Sequence, residues 1–136
     1  MAEIRGIIAT KVSGLQHIYQ ACQRQLPNRA IHYHLLTSAF SVMGNDGQPD
    51  YGAANEALNR IAVRMSVDGG AGTWSTIAWL GWDSIGMTSG SEFAALGSAR
   101  QIRGVTAEEG KAIFQSLLAG PPAQPVNVLL TAGELR

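Results

Sequence analysis

Cysteine is almost absent: Cys22 is the only one in 136 residues. One thiol cannot build an internal disulfide framework, and no Cys/His cluster has zinc-site spacing. The expectation is a reducing, cytoplasmic setting. Charge is also scarce, at 15% of residues, with 10 basic side chains balancing 10 acidic ones. A net charge of zero gives no electrostatic reason to bind nucleic acid or an anionic membrane surface. So few charges imply surface covered by something else, because a small isolated domain usually carries more. Long apolar runs are missing too. None approaches the roughly 20 residues that span a bilayer. The opening stretch MAEIRGIIATKVSG lacks the apolar core and the small-residue cleavage site of a signal peptide. There is no internal repeat and no low-complexity tract.

What is present suits one packed domain. Hydrophobic residues make up 46% of the chain, enough for a core at this length. Over residues 3–25, Ile4, Ile7, Ile8, Val12, Leu15, Ile18, Tyr19 and Cys22 recur every three or four positions, which predicts a helix with one apolar face. Pro27 and Asn28 end it. Residues 30–38 (AIHYHLLTS) have strand length, and Gly44-Asn-Asp-Gly47 reads as a loop. Pro49 and Asp50 suit the entry of a second helix over 50–67, with a small-residue face of Ala53, Ala54 and Ala57 beside Leu58, Ile61 and Met65. Residues 73–80 (TWSTIAWL) make a second apolar strand. Residues 81–104 are rich in Gly and Ser with little period, and read as a loop or lid. Thr106-Ala-Glu-Glu109 has the pattern of a capping box ahead of a third helix, and Val126–Leu130 reads as a last strand. Helices alternating with strands imply an α/β fold with a parallel sheet. Three strands are few for such a sheet and would leave long unpaired edges.

Four residues can carry chemistry together. Tyr51 and Asn55 lie at i and i+4 near the start of the second helix, on one face. Ser38 ends a strand, where doubly wound sheets open into a ligand crevice. Lys11 stands on the preceding helix, and its ammonium would stabilise a nearby phenolate. A phenol to deliver a proton, a hydroxyl to hold an oxygen and a cation to tune the phenol suit the reduction of a carbonyl. By spacing alone Tyr51 reads equally well as an interfacial aromatic and Asn55 as a surface amide.

The surrounding residues narrow this. The run LLTSAFSVMGNDGQPDYGAANEALNRIA resembles the ketoreductase domains of polyketide and polyunsaturated fatty acid synthases, members of the short-chain dehydrogenase/reductase superfamily. Ser38 matches the serine that ends a strand in that family. Gly44, Gly47, Gln48, Tyr51 and Asn55 match its Gly-x-x-Gly-Gln-x-x-Tyr-x-x-x-Asn run, and Lys11, Val12 and Gly14 match an upstream Lys-Val-x-Gly. The order of lysine before serine is that of the synthases. Downstream, STIAWLGWDSIGM and Thr106–Gly110 resemble later parts of the same domain, so the likeness runs over about residues 3–131.

The resemblance implies the C-terminal half of a doubly wound, Rossmann-like parallel sheet, with about three strands and three to four helices. It implies NADPH-dependent reduction of a 3-oxoacyl thioester on an acyl carrier protein. Tyr51 would be the proton donor, Ser38 would hold the ketone oxygen, and Lys11 and Asn55 would complete the tetrad. Gly81, Trp82 and Met87 would border the nicotinamide of NADP(H). Residues 88–104, with Phe93 and Leu96, would form the substrate lid. Met43 stands eight residues before the tyrosine, where some relatives carry Trp. The strand, glycine-rich turn and helix that would hold the NADPH pyrophosphate have no match, since the glycines at 69, 70 and 72 follow a helix. A complementary N-terminal half or a homo-oligomer is therefore the expected partner. The rival expectation is a non-catalytic scaffold or interaction module derived from such a domain.

The remaining candidates have plainer readings. His32 and His34 share a strand face, but no third ligand has sensible spacing for a metal. Trp74 and Trp79 suit the core better than a base-stacking platform. Cys22 reads as a core thiol, Asp83 as a turn residue, and Arg100 and Arg103 as solvated arginines beside the lid.

Overall fold

The computed structural model describes residues 2–69, 72–83, 85, 102–120 and 124–129. The elements run α1 (Ala2–Ile8), a π turn (Ala9–Ser13), α2 (Gly14–Gln25), β1 (His32–Ser38), α3 (Phe40–Met43), α4 (Pro49–Val67), β2 (Thr73–Trp79), α5 (Ala107–Ala119) and β3 (Val126–Val128). The strands form one parallel sheet in the order β1-β2-β3. Register runs from His32 opposite Thr73 to Ser38 opposite Trp79, and from Thr76 opposite Val126 to Ala78 opposite Val128. This is the α/β fold with a parallel three-stranded sheet that the alternation predicts.

Two local features differ from the periodicity. The expected helix over 3–25 is not uniform: the π turn adds a residue to one helical turn, with Lys11 at its centre. Such bulges rotate the next stretch of helix and re-aim the side chains they carry. Between Ser38 and the Gly44–Gly47 loop, the chain makes one helical turn, α3, which no apolar period announces because four residues are too few to show one. The last strand is shorter than expected and ends at Val128.

Local chemistry fixes the ends. Pro49 opens α4 at a position where its missing N–H costs nothing. The capping box of α5 forms as the sequence predicts: the Glu109 N–H donates to Thr106 Oγ1 at 3.2 Å, and the Thr106 N–H donates to Glu109 Oε2 at 3.0 Å. Arg103 adds a two-pronged ion pair to Glu109, at 2.7 and 2.6 Å. Gly72 leads into β2 at φ +91°, where a Cβ would strike the Ile31 carbonyl oxygen. Only glycine accepts both the left-handed backbone and that approach.

Two apolar clusters hold the layers. Tyr33 of β1 stacks on Trp74 of β2 with ring centres 4.3 Å apart, and Tyr19 of α2 lies across both at 5.6 and 5.5 Å. Ala62 of α4 closes this cluster, and Cys22 packs against it as a core thiol. Trp74 thus belongs to the core, as its apolar strand predicts. The second cluster, at the C-terminal end of the strands, joins Ala39, Leu80 and Val105 with Met43, Trp79 and Trp82. Among the described residues β1 pairs only with β2, and its Leu36 side chain is half exposed.

Candidate active site

The site is built where β1 ends. Ser38 is the last residue of that strand and is 5% exposed. Its Oγ accepts the Phe40 N–H at 3.2 Å, which leaves the hydroxyl hydrogen for another acceptor. The Ala39 N–H donates to the Trp79 carbonyl at 2.9 Å and carries the sheet one residue past the serine. α3 then folds the chain onto α4. The Phe40 carbonyl oxygen lies 3.3 Å from where a Cβ on Gly52 would stand. The turn after Ser38 is therefore pressed against the residue next to Tyr51.

Tyr51 is half-buried in the first turn of α4. Asn55, one turn on, is fully buried, and its Nδ2 donates to the Tyr51 carbonyl at 2.8 Å. Its Oδ1 is buried with no hydrogen-bond partner among the described residues. A buried amide oxygen without a donor is costly, and such orphans collect at binding sites. From the other side, the π turn delivers Lys11. Its Nζ donates to the Leu36 carbonyl of β1 at 3.3 Å and stands 5.8 Å from the centre of the Tyr51 ring. Burial lowers the Lys11 pKa from 10.5, because a half-buried ammonium loses hydration.

Lys11 and Tyr51 thus meet directly, Asn55 joins them through the α4 backbone, and Ser38 is tied to them through Phe40 and Gly52. Gly81 and Trp82 come after β2 at the same end of the sheet. The Gly81 carbonyl accepts the Val105 N–H at 2.9 Å. The Trp82 ring lies 5.3 Å from that of Trp79 and covers the face of Gly110, where any Cβ would strike it. Asp83 takes a turn role, its N–H donating to the Val105 carbonyl at 2.8 Å. Met87, Phe93, Leu96, Arg100 and most of the expected lid lie outside the described residues.

A polar group that the sequence does not single out lies one turn below Asn55. Asn59 is 2% exposed. Its Oδ1 accepts the Thr37 hydroxyl at 3.1 Å, and its Nδ2 donates to Ser41 Oγ at 3.1 Å and Glu56 Oε2 at 3.0 Å. The available signal is Thr37 beside Ser38, together with a second asparagine one helical turn after Asn55.

Among the described residues, no group of three His, Cys, Asp or Glu side chains is placed to hold a metal. His32 Nε2 and His34 Nδ1 each meet the Ser75 hydroxyl at 2.8 Å. No glycine-rich turn between a strand and a helix occurs among the described residues either: Gly69 leaves α4, and Gly72 enters β2. The chain's described residues therefore do not fit the pyrophosphate of a dinucleotide. They offer instead a phenol, an ammonium and an amide oxygen with no hydrogen-bond partner among the described residues.

The family described as "KR domain" matches residues 1–84. The chain is 35% identical over 97 residues to polyketide synthase GfsA of Streptomyces halstedii, covering 71% of this chain and 1% of that protein. It is 37% identical over 67 residues to a polyunsaturated fatty acid synthase subunit from Thraustochytrium sp., covering 49% of this chain and 2% of that one. Its fold is similar to that of a ketoreductase domain from the bacillaene assembly line, with a TM-score of 0.75 and 23% identity. That match covers 95% of this chain and 31% of the other. The chain thus spans about a third of that ketoreductase and a small part of the curated relatives it matches.

Proposed function

The chain belongs to the ketoreductase (KR) domain family of polyketide and polyunsaturated fatty acid synthases, and we propose that it carries the proton-delivering half of a β-ketoacyl reductase. The substrate of this reading is a 3-oxoacyl thioester on an acyl carrier protein, and the product is the 3-hydroxyacyl thioester. NADPH, when bound, supplies the hydride to the carbonyl carbon. A complementary segment would hold its pyrophosphate, for which the described residues offer no cradle. The work of the chain itself is to hold and protonate the oxygen. The Ser38 hydroxyl donates a hydrogen bond to the ketone oxygen, which gathers negative charge as the carbonyl bond opens. The Tyr51 phenol transfers its proton to that oxygen, and the Lys11 ammonium stabilises the phenolate left behind. Asn55 offers its unpartnered Oδ1 beside Tyr51 to a water or ribose hydroxyl that returns the proton. Gly81, Trp82 and Met87 would border the nicotinamide in this reading, and residues 88–104, with Phe93 and Leu96, would be the substrate lid.

The observation that carries this reading is the Lys11 Nζ held 5.8 Å above the Tyr51 ring by a π turn. That contact sets a half-buried ammonium over the face of the phenol ring, with Nζ also donating to the Leu36 carbonyl. The cytoplasm suits an enzyme that draws on NADPH and acyl carrier protein.

A second reading, a scaffold that keeps the outline without turnover, is favoured by the lack of a glycine-rich strand-to-helix turn among the described residues. NADPH binding separates the two. Titrating NADPH by calorimetry into the chain, alone and joined to a strand–glycine turn–helix segment from a relative, should give heat only in the joined form. No binding in the joined form would leave the scaffold reading standing.

A further inference from the structure

We propose that Asn59 is a positioning residue for the reduction: its single side-chain amide sets Ser38 and the catalytic face of α4 relative to each other. The inference rests on the catalytic reading above, since it concerns the alignment of the same site.

The amide is saturated. Its oxygen accepts from Thr37, and both its N–H groups are committed, one to Ser41 and one to Glu56. Glu56 fixes which way the amide faces, because a carboxylate can only accept. Nδ2 must point at Glu56, so Oδ1 must point at Thr37. The three partners lie on three different pieces of the site. Thr37 immediately precedes Ser38 in β1. Ser41 lies in α3, the turn that presses on Gly52. Glu56 lies in α4 between Asn55 and Asn59 and is held outward by Arg60 at 2.6 Å. One buried side chain thus ties the end of the serine-bearing strand, the turn after it and the tyrosine-bearing helix. Asn59 stands four residues from Asn55 and eight from Tyr51, so it shares their helix face. It touches no reacting atom. Its part is to hold geometry, and alignment errors on the order of 1 Å are costly in turnover while leaving binding nearly intact.

The test exploits the direction of the hydrogen bonds. Asn59→Asp keeps the size but removes both N–H donors and sets a second carboxylate against Glu56. Glu56→Gln added to it restores a donor–acceptor pair with the roles exchanged. Two readouts apply. In the 136-residue chain, with tyrosine rings labelled by carbon-13, the Tyr51 ring resonances and their cross-peaks to the Lys11 methylenes report the alignment without any need for turnover. In the joined, NADPH-binding form, kcat and KM for a 3-oxoacyl thioester report its effect. The expected result for Asn59→Asp is displaced Tyr51 resonances and a kcat lowered about tenfold with KM changed less than about twofold. The double variant should recover both. Asn59→Ala, with circular dichroism as a check on folding, should displace the same resonances without adding charge. The proposal is overturned if folded Asn59→Asp and Asn59→Ala leave the Tyr51 resonances in place, or if Glu56→Gln fails to restore them. If the resonances move and recover while no form reduces substrate, the positioning stands and the catalytic reading fails.

Discussion

The Lys11 ammonium stands over the ring of Tyr51, 5.8 Å from its centre, while its Nζ donates a hydrogen bond to the Leu36 carbonyl. Burial disfavours that charge, so its pKa is lowered from 10.5. The folded chain then binds a proton at Lys11 less readily than the unfolded chain, and stability rises with pH between the lowered value and 10.5. Lys11→Met should therefore stabilise the chain at about pH 7 while removing turnover in the joined enzyme. Thermal melts across pH should show the wild type gaining on the variant as pH climbs toward 10.5. A variant that is less stable at neutral pH would mean the lysine serves the fold.

The pH response at α5 has the same sign but falls in an acid window. Glu109 accepts from Arg103 and from the Thr106 backbone, which lowers its pKa to about 2 from 4.5. This contribution to stability is complete above 4.5 and fades as pH falls toward about 2. Acid titration followed by NMR should show the Thr106 and Glu109 amides losing protection in that window. Glu109→Gln should flatten the response.

Thr76 is fully buried in β2, and its hydroxyl finds no partner among the described residues. Valine has the same shape without the stranded oxygen. Thr76→Val should stabilise the chain by about 1 kcal/mol, a rise of a few degrees in Tm by calorimetry.

Gly72 combines φ +91° with a backbone oxygen where its Cβ would be. Gly72→Ala should destabilise by about 1–3 kcal/mol or more, because strain and clash add. Gly69→Ala, at φ +69° but in open space, should cost less. Urea unfolding of the two variants compares them directly.

Much of this was legible in the sequence because period and chemistry agreed. The apolar runs at 30–38 and 73–80 became β1 and β2, Pro49 opened α4, and Thr106 with Glu109 formed the capping box. The likeness to the synthase ketoreductases pointed to the family, which the match over residues 1–84 bears out. The π turn was not legible, because an inserted residue leaves apolar spacings of three and four intact on both sides. α3 was too short to have a period. The Asn59 network escaped because each of its bonds joins residues distant in sequence or ordinary on a helix surface, and only the fold brings Thr37 and Ser41 to one amide. Trp82 shows the converse. Its place after β2 was foreseeable from the strand, but its packing on Gly110 depends on α5 crossing beneath it.

In the function proposed for this chain, Tyr51 delivers the proton from a site whose hydride source is held elsewhere. The most direct measurement is NADPH consumption by the joined form on a 3-oxoacyl thioester, comparing wild type with Tyr51→Phe. The expected result is turnover by the wild type and a loss of about 10²–10⁴-fold in the variant, with NADPH binding unchanged. A Tyr51→Phe variant that reduces the thioester at the wild-type rate would contradict it.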